Sequence, residues 1–175
     1  MTISIILDCE TTGLPLPDCA DLDKQPCIIE LAVARIEGGK IVAEHSWLMN
    51  PERPLEAIIT KITGLKDEDL VDKPKFRELL GEIEEAFGGA DQLIAHNAPF
   101  DVGLLGFELS RACRTGFPWP KTTICTVQEF FHEKGRRLTL AQLYELKLGR
   151  PLAQTHRAMD DVRALAEICI HERIV

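Results

Sequence analysis

The stretch Ile5-Ile6-Leu7-Asp8-Cys9-Glu10-Thr11-Thr12-Gly13-Leu14 constrains this chain more than any other, because it puts two carboxylates at the end of a strongly apolar strand. Successive strand side chains alternate between faces, so Asp8 and Glu10 point the same way. Side by side they repel, and burying them uncompensated costs several kcal/mol. A divalent cation between them is the simplest remedy. The alternative is a polar strand end whose acids stand in water. Thr11-Thr12-Gly13 then offers hydroxyls and free backbone N–H groups where the chain leaves the sheet.

At 175 residues the chain suits one α/β-sized domain spanning 1–175, with a sizeable core. Hydrophobic residues at 45% and charged residues at 27% make a globular mixture rather than a disordered one. No apolar run approaches the roughly 20 residues that span a bilayer. No basic, apolar leader opens the sequence, so a cytoplasmic location without a membrane partner is expected. Cys9, Cys19, Cys27, Cys113, Cys125 and Cys169 are scattered and form no Cys-x-x-Cys pair, which favours free thiols. Cys19 and Cys27 share one predicted loop, but no second pair completes a zinc site. The net charge of −8 argues against a protein that grips nucleic acid by a broad basic face. An enzyme whose metal ions neutralise the phosphates is compatible with it.

The patterning predicts a buried strand over residues 3–8, then a Pro- and Asp-rich surface loop from Pro15 to Pro26. Two apolar runs, Ile28–Glu37 and Lys40–Met49, flank Gly38-Gly39, which reads as a hairpin turn. Short helical pieces follow at 55–61 and 67–71, with a clearer helix at 75–87 that stops before Gly88-Gly89. Gln92–Ala95 is a short strand ending at His96-Asn97. A helix then covers about 99–113, and 121–125 is a last strand. Helices at roughly 126–133, 139–147 and 157–173 complete the chain. Three meandering strands followed by alternating helix and strand imply a mixed sheet with helices against it.

Two further acids lie on helices. Asp101 shares a face with Leu105, Leu109 and Ala112, at the amino-terminal tip of an apolar stripe. The dull explanation is a carboxylate stabilised by the positive end of the helix dipole. On the last helix, Ala158, Val162, Leu165, Ala166, Cys169 and Ile170 form the apolar stripe. At about 100° per residue, Asp161 lies roughly 100° from the centre of that stripe and Asp160 roughly 160° from it. Asp161 therefore reaches the sheet margin while Asp160 faces water. His156 precedes this helix, and a histidine beside an acidic cluster suits general-base work. Four carboxylates from three distant segments and one histidine make a two-metal phosphodiester-cleaving site physically sensible. No Gly-rich phosphate loop and no Gly-x-Ser-x-Gly elbow compete for the chemistry.

These residues resemble a known family. Asp8-Cys-Glu10-Thr-Thr-Gly-Leu14, His96-Asn97-Ala-Pro-Phe100-Asp101 and His156-Arg-Ala-Met-Asp-Asp161 look like the three motifs of the DEDDh 3′–5′ exonucleases. That family includes the proofreading epsilon subunit of bacterial replicative polymerase, RNase T and oligoribonuclease. The resemblance implies an α/β fold, an RNase H-like mixed five-stranded sheet flanked by helices. It also implies two divalent ions, Mg²⁺ or Mn²⁺, and release of nucleoside 5′-monophosphates from a 3′ end. Position by position, Asp8, Glu10, Asp101 and Asp161 match the metal ligands and His156 the general base. Thr11, Thr12, Gly13 and Leu14 match residues that hold the terminal nucleotide, and Asn97 and Phe100 a second segment of the substrate groove. Three departures stand out, the first being a Pro15–Pro26 loop somewhat longer than expected after the first motif. Cys27 occupies a place where an arginine often precedes Ile-Ile-Glu, and Thr63 replaces a histidine common in relatives.

The expected activity is metal-dependent 3′–5′ hydrolysis of mainly single-stranded DNA. Alternatives are an RNase T-like or oligoribonuclease-like exoribonuclease, and a non-catalytic module that binds a polymerase or nucleic acid. The expected partners are 3′ ends of single-stranded DNA or RNA, with association with a DNA polymerase left open. Lys134-Gly-Arg136-Arg137 is the densest basic cluster, readable as a phosphate contact or as an ordinary solvated turn. Trp47 and Trp119 are expected to pack rather than to stack on bases.

Overall fold

The computed structural model describes residues 2–153 and 157–175. Its element order is β1 (Ile3–Thr11), β2 (Ile28–Glu37), β3 (Lys40–Leu48), α1 (Ala57–Thr63), α2 (Asp67–Leu70), α3 (Phe76–Phe87), β4 (Gln92–Ala95), α4 (Ala98–Arg111), β5 (Thr122–Cys125), α5 (Thr126–Glu129), α6 (Leu140–Leu148) and α7 (Ala158–His171). The strands form one five-stranded sheet in the order β3-β2-β1-β4-β5. β1 pairs antiparallel with β2 and parallel with β4, and β4 pairs parallel with β5. The sheet is therefore mixed, as the sequence pattern implied.

The β2–β3 hairpin turns on Gly38 and Gly39, at φ +58° and +72°, between the paired residues Glu37 and Lys40. Two consecutive left-handed residues are what a tight hairpin turn of this twist demands, and glycine adopts them without steric cost.

Alternation along β1 divides the core in two. Ile5, Leu7 and Cys9 join Leu79, Ile83, Leu104 and Leu105 of α3 and α4 on one face. Ile6, with Ala32, Ala34 and Ile36 of β2, joins Val162, Leu165 and Ala166 of α7 on the other. Asp8 and Glu10 have the parity of Ile6, so they project toward α7. The sheet is thus covered on both sides, and its central strand carries the acids.

Two boundaries differ from the sequence reading. β1 runs past residue 8 to Thr11, because its ladder with β2 continues through Glu10↔Glu30 and, after a register shift, Thr11↔Ile28. The carboxylates therefore project from a paired strand rather than from its frayed end. The segment 126–133 is not one helix; α5 ends at Glu129 and a 3-10 turn covers Phe131–Glu133. The described cysteines are free thiols, as expected. Trp47 is buried, with its indole N–H donating to Glu82 at 3.0 Å, and Trp119 packs edge-on against Phe87. Both tryptophans serve packing. Among the described residues no helix is long and apolar enough to cross a membrane.

Candidate active site

The site lies where β1 and β4 end side by side. The chain proceeds from β1 into β2 on one side, while β4 lies on the other, a change of direction at which α/β sheets open a crevice. Asp8 and Glu10 enter from β1, and Asp161 from the first turn of α7. One carboxylate oxygen from each of these three lies within 4.8 Å of the others. Asp160, its neighbour, is exposed and sits 3.8 Å from Arg163 one turn on. The helical phase that separated the adjacent acids holds in the fold.

Asp101 is placed differently. It is 2% exposed at the start of α4 and falls outside the three-oxygen group. Helix α4 packs on the sheet face opposite α7, so Asp101 approaches the carboxylates from behind β1. Its carboxylate accepts from the Cys9 thiol and from the Cys9 N–H. Even so, it is the charge that acts most strongly on Asp8. Four acids share one neighbourhood, three of them in mutual reach.

The electrostatics are those of a site built for a cation. Burial, and then the charges of Asp101, Asp161, Glu10 and Glu30, push the Asp8 carboxyl well above the usual carboxylate range. Burial pushes Glu10 up to about 8, with Asp161 and Glu30 adding to the effect and Arg157 opposing it. Burial also raises Asp101 to about 7, against the hydrogen bonds it accepts from its own N–H and from Cys9. Hard oxygen donors that destabilise one another's ionised forms fit a divalent metal ion. The donor set, not a single acid, is the argument.

Two residues to which the sequence reading gave no role organise this corner. Glu30 stands directly across from Glu10 in the β1–β2 ladder and is 1% exposed. Its carboxylate accepts a two-pronged ion pair from Arg157, at 2.9 Å from both Nε and Nη2. Arg157 is the residue before α7, and its carbonyl accepts from the N–H groups of Asp160 and Asp161. An acid inside the apolar run Ile28-Ile29-Glu30 was the available signal. The other residue is His96. It donates from Nε2 to the Leu138 carbonyl, 3.0 Å away, and its Nδ1 lies 3.0 Å from the Thr126 hydroxyl. Burial lowers its pKa, which keeps this imidazole neutral.

The Thr11-Thr12-Gly13-Leu14 turn borders a cleft of about 710 Å³ that also contains Glu10, Phe100, and Ile58 and Ile62 of α1. The turn spends much of its own polar capacity. The Thr11 hydroxyl donates to the Gly13 carbonyl at 2.7 Å, the Thr12 hydroxyl accepts from the Cys27 N–H, and the Thr12 N–H donates to the Cys27 carbonyl. The free N–H groups expected at Thr12 and Gly13 are thus committed, since Gly13 N–H also faces the Thr11 hydroxyl at 3.4 Å. What this turn leaves to the cleft is mainly shape and the exposed Leu14.

A second cleft, about 370 Å³, contains Asp8 and Asp161 together with His96, Asn97, Arg137 and Leu138. Asn97 links β4 to α4 in the left-handed conformation, at φ +80°, which asparagine tolerates better than most residues. Its side-chain oxygen accepts from Arg137 at 2.8 Å. The structure thus places Asn97 and Phe100 on different clefts. His156, expected as the general base, lies outside the described residues.

The comparisons agree with this geometry. The exonuclease family RNase_T matches residues 5–169. A DNA polymerase III subunit epsilon from Treponema pallidum is 33% identical over 162 residues, covering 92% of this chain and 72% of that protein. A PolC-type DNA polymerase III from Caldanaerobacter subterraneus is 35% identical over 171 residues, covering 95% of this chain. The chain spans only 11% of the length of that polymerase. Among solved structures, an exonuclease X complex with 5′ overhanging duplex DNA is 26% identical with a TM-score of 0.67, covering 95% of this chain and 89% of that one. The nuclease domain of a DEDDh family member bound to rAMP shares the fold, with a TM-score of 0.79 at 16% identity over 98% of this chain and 92% of that one. The chain belongs to the RNase_T exonuclease family, the DEDDh 3′–5′ exonucleases whose motifs its sequence carries.

Proposed function

We propose that this domain shortens nucleic-acid strands from the 3′ end, mainly single-stranded DNA, and releases nucleoside 5′-monophosphates. The observation that carries this reading is the convergence of Asp8, Glu10 and Asp161 within 4.8 Å, with buried Asp101 behind them. Asp8, Glu10, Asp101 and Asp161 are the residues that would hold two divalent ions, Mg²⁺ or Mn²⁺. When bound, such ions supply charge neutralisation at the phosphodiester and a water of lowered pKa.

The protein's own part is to position and to move protons. His156 is assigned as the base that takes a proton from the attacking water. The water oxygen bonds to phosphorus as the bond to the preceding 3′-oxygen breaks, and that oxygen gains a proton from solvent. The products are one 5′-mononucleotide and a strand one unit shorter with a new 3′-hydroxyl. The cleft of Thr11, Thr12, Gly13, Leu14 and Phe100 is assigned to the terminal nucleotide, with Leu14 and Phe100 offering apolar surface to its base. A net charge of −8 supports a local grip on a strand end over a broad hold on duplex. The sequence relatives support a link to replicative polymerases, so a DNA polymerase is the partner we assign.

The test is a time course on 5′-labelled single-stranded DNA, duplex DNA and RNA, with Mg²⁺ and with chelator. A ladder receding from the 3′ end only with metal, fastest on single-stranded DNA, is the expected result. Binding without cleavage would overturn the reading, and faster loss of RNA would reassign the substrate.

A further inference from the structure

Resting on that nuclease reading, we propose that Arg137 and Phe131 form a second contact for the substrate strand, in which Arg137 holds a backbone phosphate and Phe131 stacks on a base. The metal-binding carboxylates are divided between two clefts: Glu10 borders one, and Asp8 and Asp161 border the other. Among the described residues, the cleft with Asp8 and Asp161 contains one Lys or Arg side chain, that of Arg137. Arg137 therefore offers a strand entering beside those acids a side-chain positive charge on the protein itself.

Arg137 is oriented without being neutralised. Its Nη2 donates to the amide oxygen of Asn97, a neutral group, at 2.8 Å, and among the described residues no carboxylate is within ion-pair distance. Arg111, Arg114, Arg157 and Arg163 all have carboxylate partners. Within the basic cluster the structure also separates neighbours. The Arg136 guanidinium turns to the Gln142 side chain and the Arg137 carbonyl, whereas Arg137 faces the cleft. His96 fixes the position of this loop by its bond to Leu138, so the guanidinium is held on a braced backbone.

The groove continues beyond Arg137. A further cleft of about 600 Å³ shares Asn97, Val127 and Arg137 with the acidic one, and extends to Gln128 and Phe131. Phe131 is 47% exposed and presents its ring on the border of this cleft, next in line after Arg137. A guanidinium followed by an exposed aromatic ring matches the chemistry of a single strand, which presents a phosphate and then a base face.

The test compares wild type with Arg137→Gln, Arg137→Lys and Phe131→Ala. Each is assayed on a single-stranded decamer and on a nitrophenyl ester of thymidine monophosphate, which lacks the rest of the strand. Binding of a labelled decamer is followed by fluorescence anisotropy in Ca²⁺ across a salt series. For Arg137→Gln, the ratio of kcat/KM on the decamer to that on the ester should fall about tenfold, and the salt slope of binding by about 1. Arg137→Lys should restore most of both. Phe131→Ala should raise the decamer Kd and leave the salt slope alone. An unchanged ratio and slope in Arg137→Gln, or equal losses on both substrates, would overturn the proposal. A wild type that binds the decamer but cleaves neither substrate would defeat the nuclease reading instead, and the salt slope would still decide the role of Arg137.

Discussion

Arg157 and Glu30 clasp α7 to the sheet: the guanidinium just ahead of the helix meets, at two points, a carboxylate buried in β2 directly across from Glu10. The clasp holds the turn that carries Asp161 and sets a positive charge beside Glu10. Arg157→Ala would leave Glu30 buried without its counter-ion. Because the Arg157 side chain is 43% exposed, the cost should be about 2 kcal/mol, below the 3–5 kcal/mol of a fully buried pair. Urea unfolding would measure it. The double variant Glu30→Gln/Arg157→Ala should recover part of the loss, and strict additivity would show that the two do not interact.

The adjacent acids of α7 should respond very differently. Asp161→Asn should abolish Mg²⁺-dependent cleavage, and with it the rise in Tm expected of the wild type in Mn²⁺. Asp160→Asn removes an exposed charge whose pairing with Arg163 is worth at most about 0.5 kcal/mol, so activity should stay within about threefold. Equal effects would show that α7 docks in a different rotational phase.

Without metal, the domain should lose stability as pH rises. Glu10, at about 8, and Asp101, at about 7, hold protons in the fold that an unfolded chain releases near its ordinary carboxylate range. Between that range and pH 8 the native state therefore binds more protons, and stability declines as pH passes through 7 and 8. Glu44 and Glu133, lowered by their bonds to Arg163 and Lys147, act in the opposite sense, but only toward acid pH. Thermal unfolding in chelator at pH 5.5, 7.0 and 8.5 should show a falling Tm. Saturating Mn²⁺ should flatten the trend, since a cation then does what the protons did. A rising Tm in chelator would contradict the assignment.

Arg111 should prove to be the anchor of the Pro15–Pro26 loop. Its Nη2 donates to the carbonyls of Leu22, Gln25 and Pro26, while Glu108, 2.9 Å from its Nη1, accepts from the Ile28 N–H. Arg111→Ala should cost about 2 kcal/mol through the carbonyls left without a donor. It should also open the loop to limited proteolysis between Pro15 and Pro26 well before the rest of the fold. Cleavage at the wild-type rate would mean that Gln25 and Arg53 suffice to hold it.

Much of this architecture was legible in the residues because the informative signals are local. Period-two alternation placed Asp8 and Glu10 on one face, Gly38-Gly39 marked the hairpin, and helical phase separated Asp161 from Asp160. What escaped was long-range. Nothing in the spacing of Glu30 and Arg157 announces an ion pair 127 residues apart in sequence. Nor does periodicity reveal that Asp101 comes from the opposite side of the sheet to α7, leaving it outside the three-oxygen group. The turn at Thr11–Gly13 misled for a related reason. Its hydroxyls and N–H groups look available until Cys27 engages those of Thr12 and the turn pairs Thr11 with Gly13.

The three oxygens that gather at this site come from the first strand and the final helix, at opposite ends of the described fold. The pocket therefore forms only when α7 docks beside β1, across more than 150 residues of chain. A fragment ending ahead of that helix would lack Asp161 and leave the oxygen group incomplete.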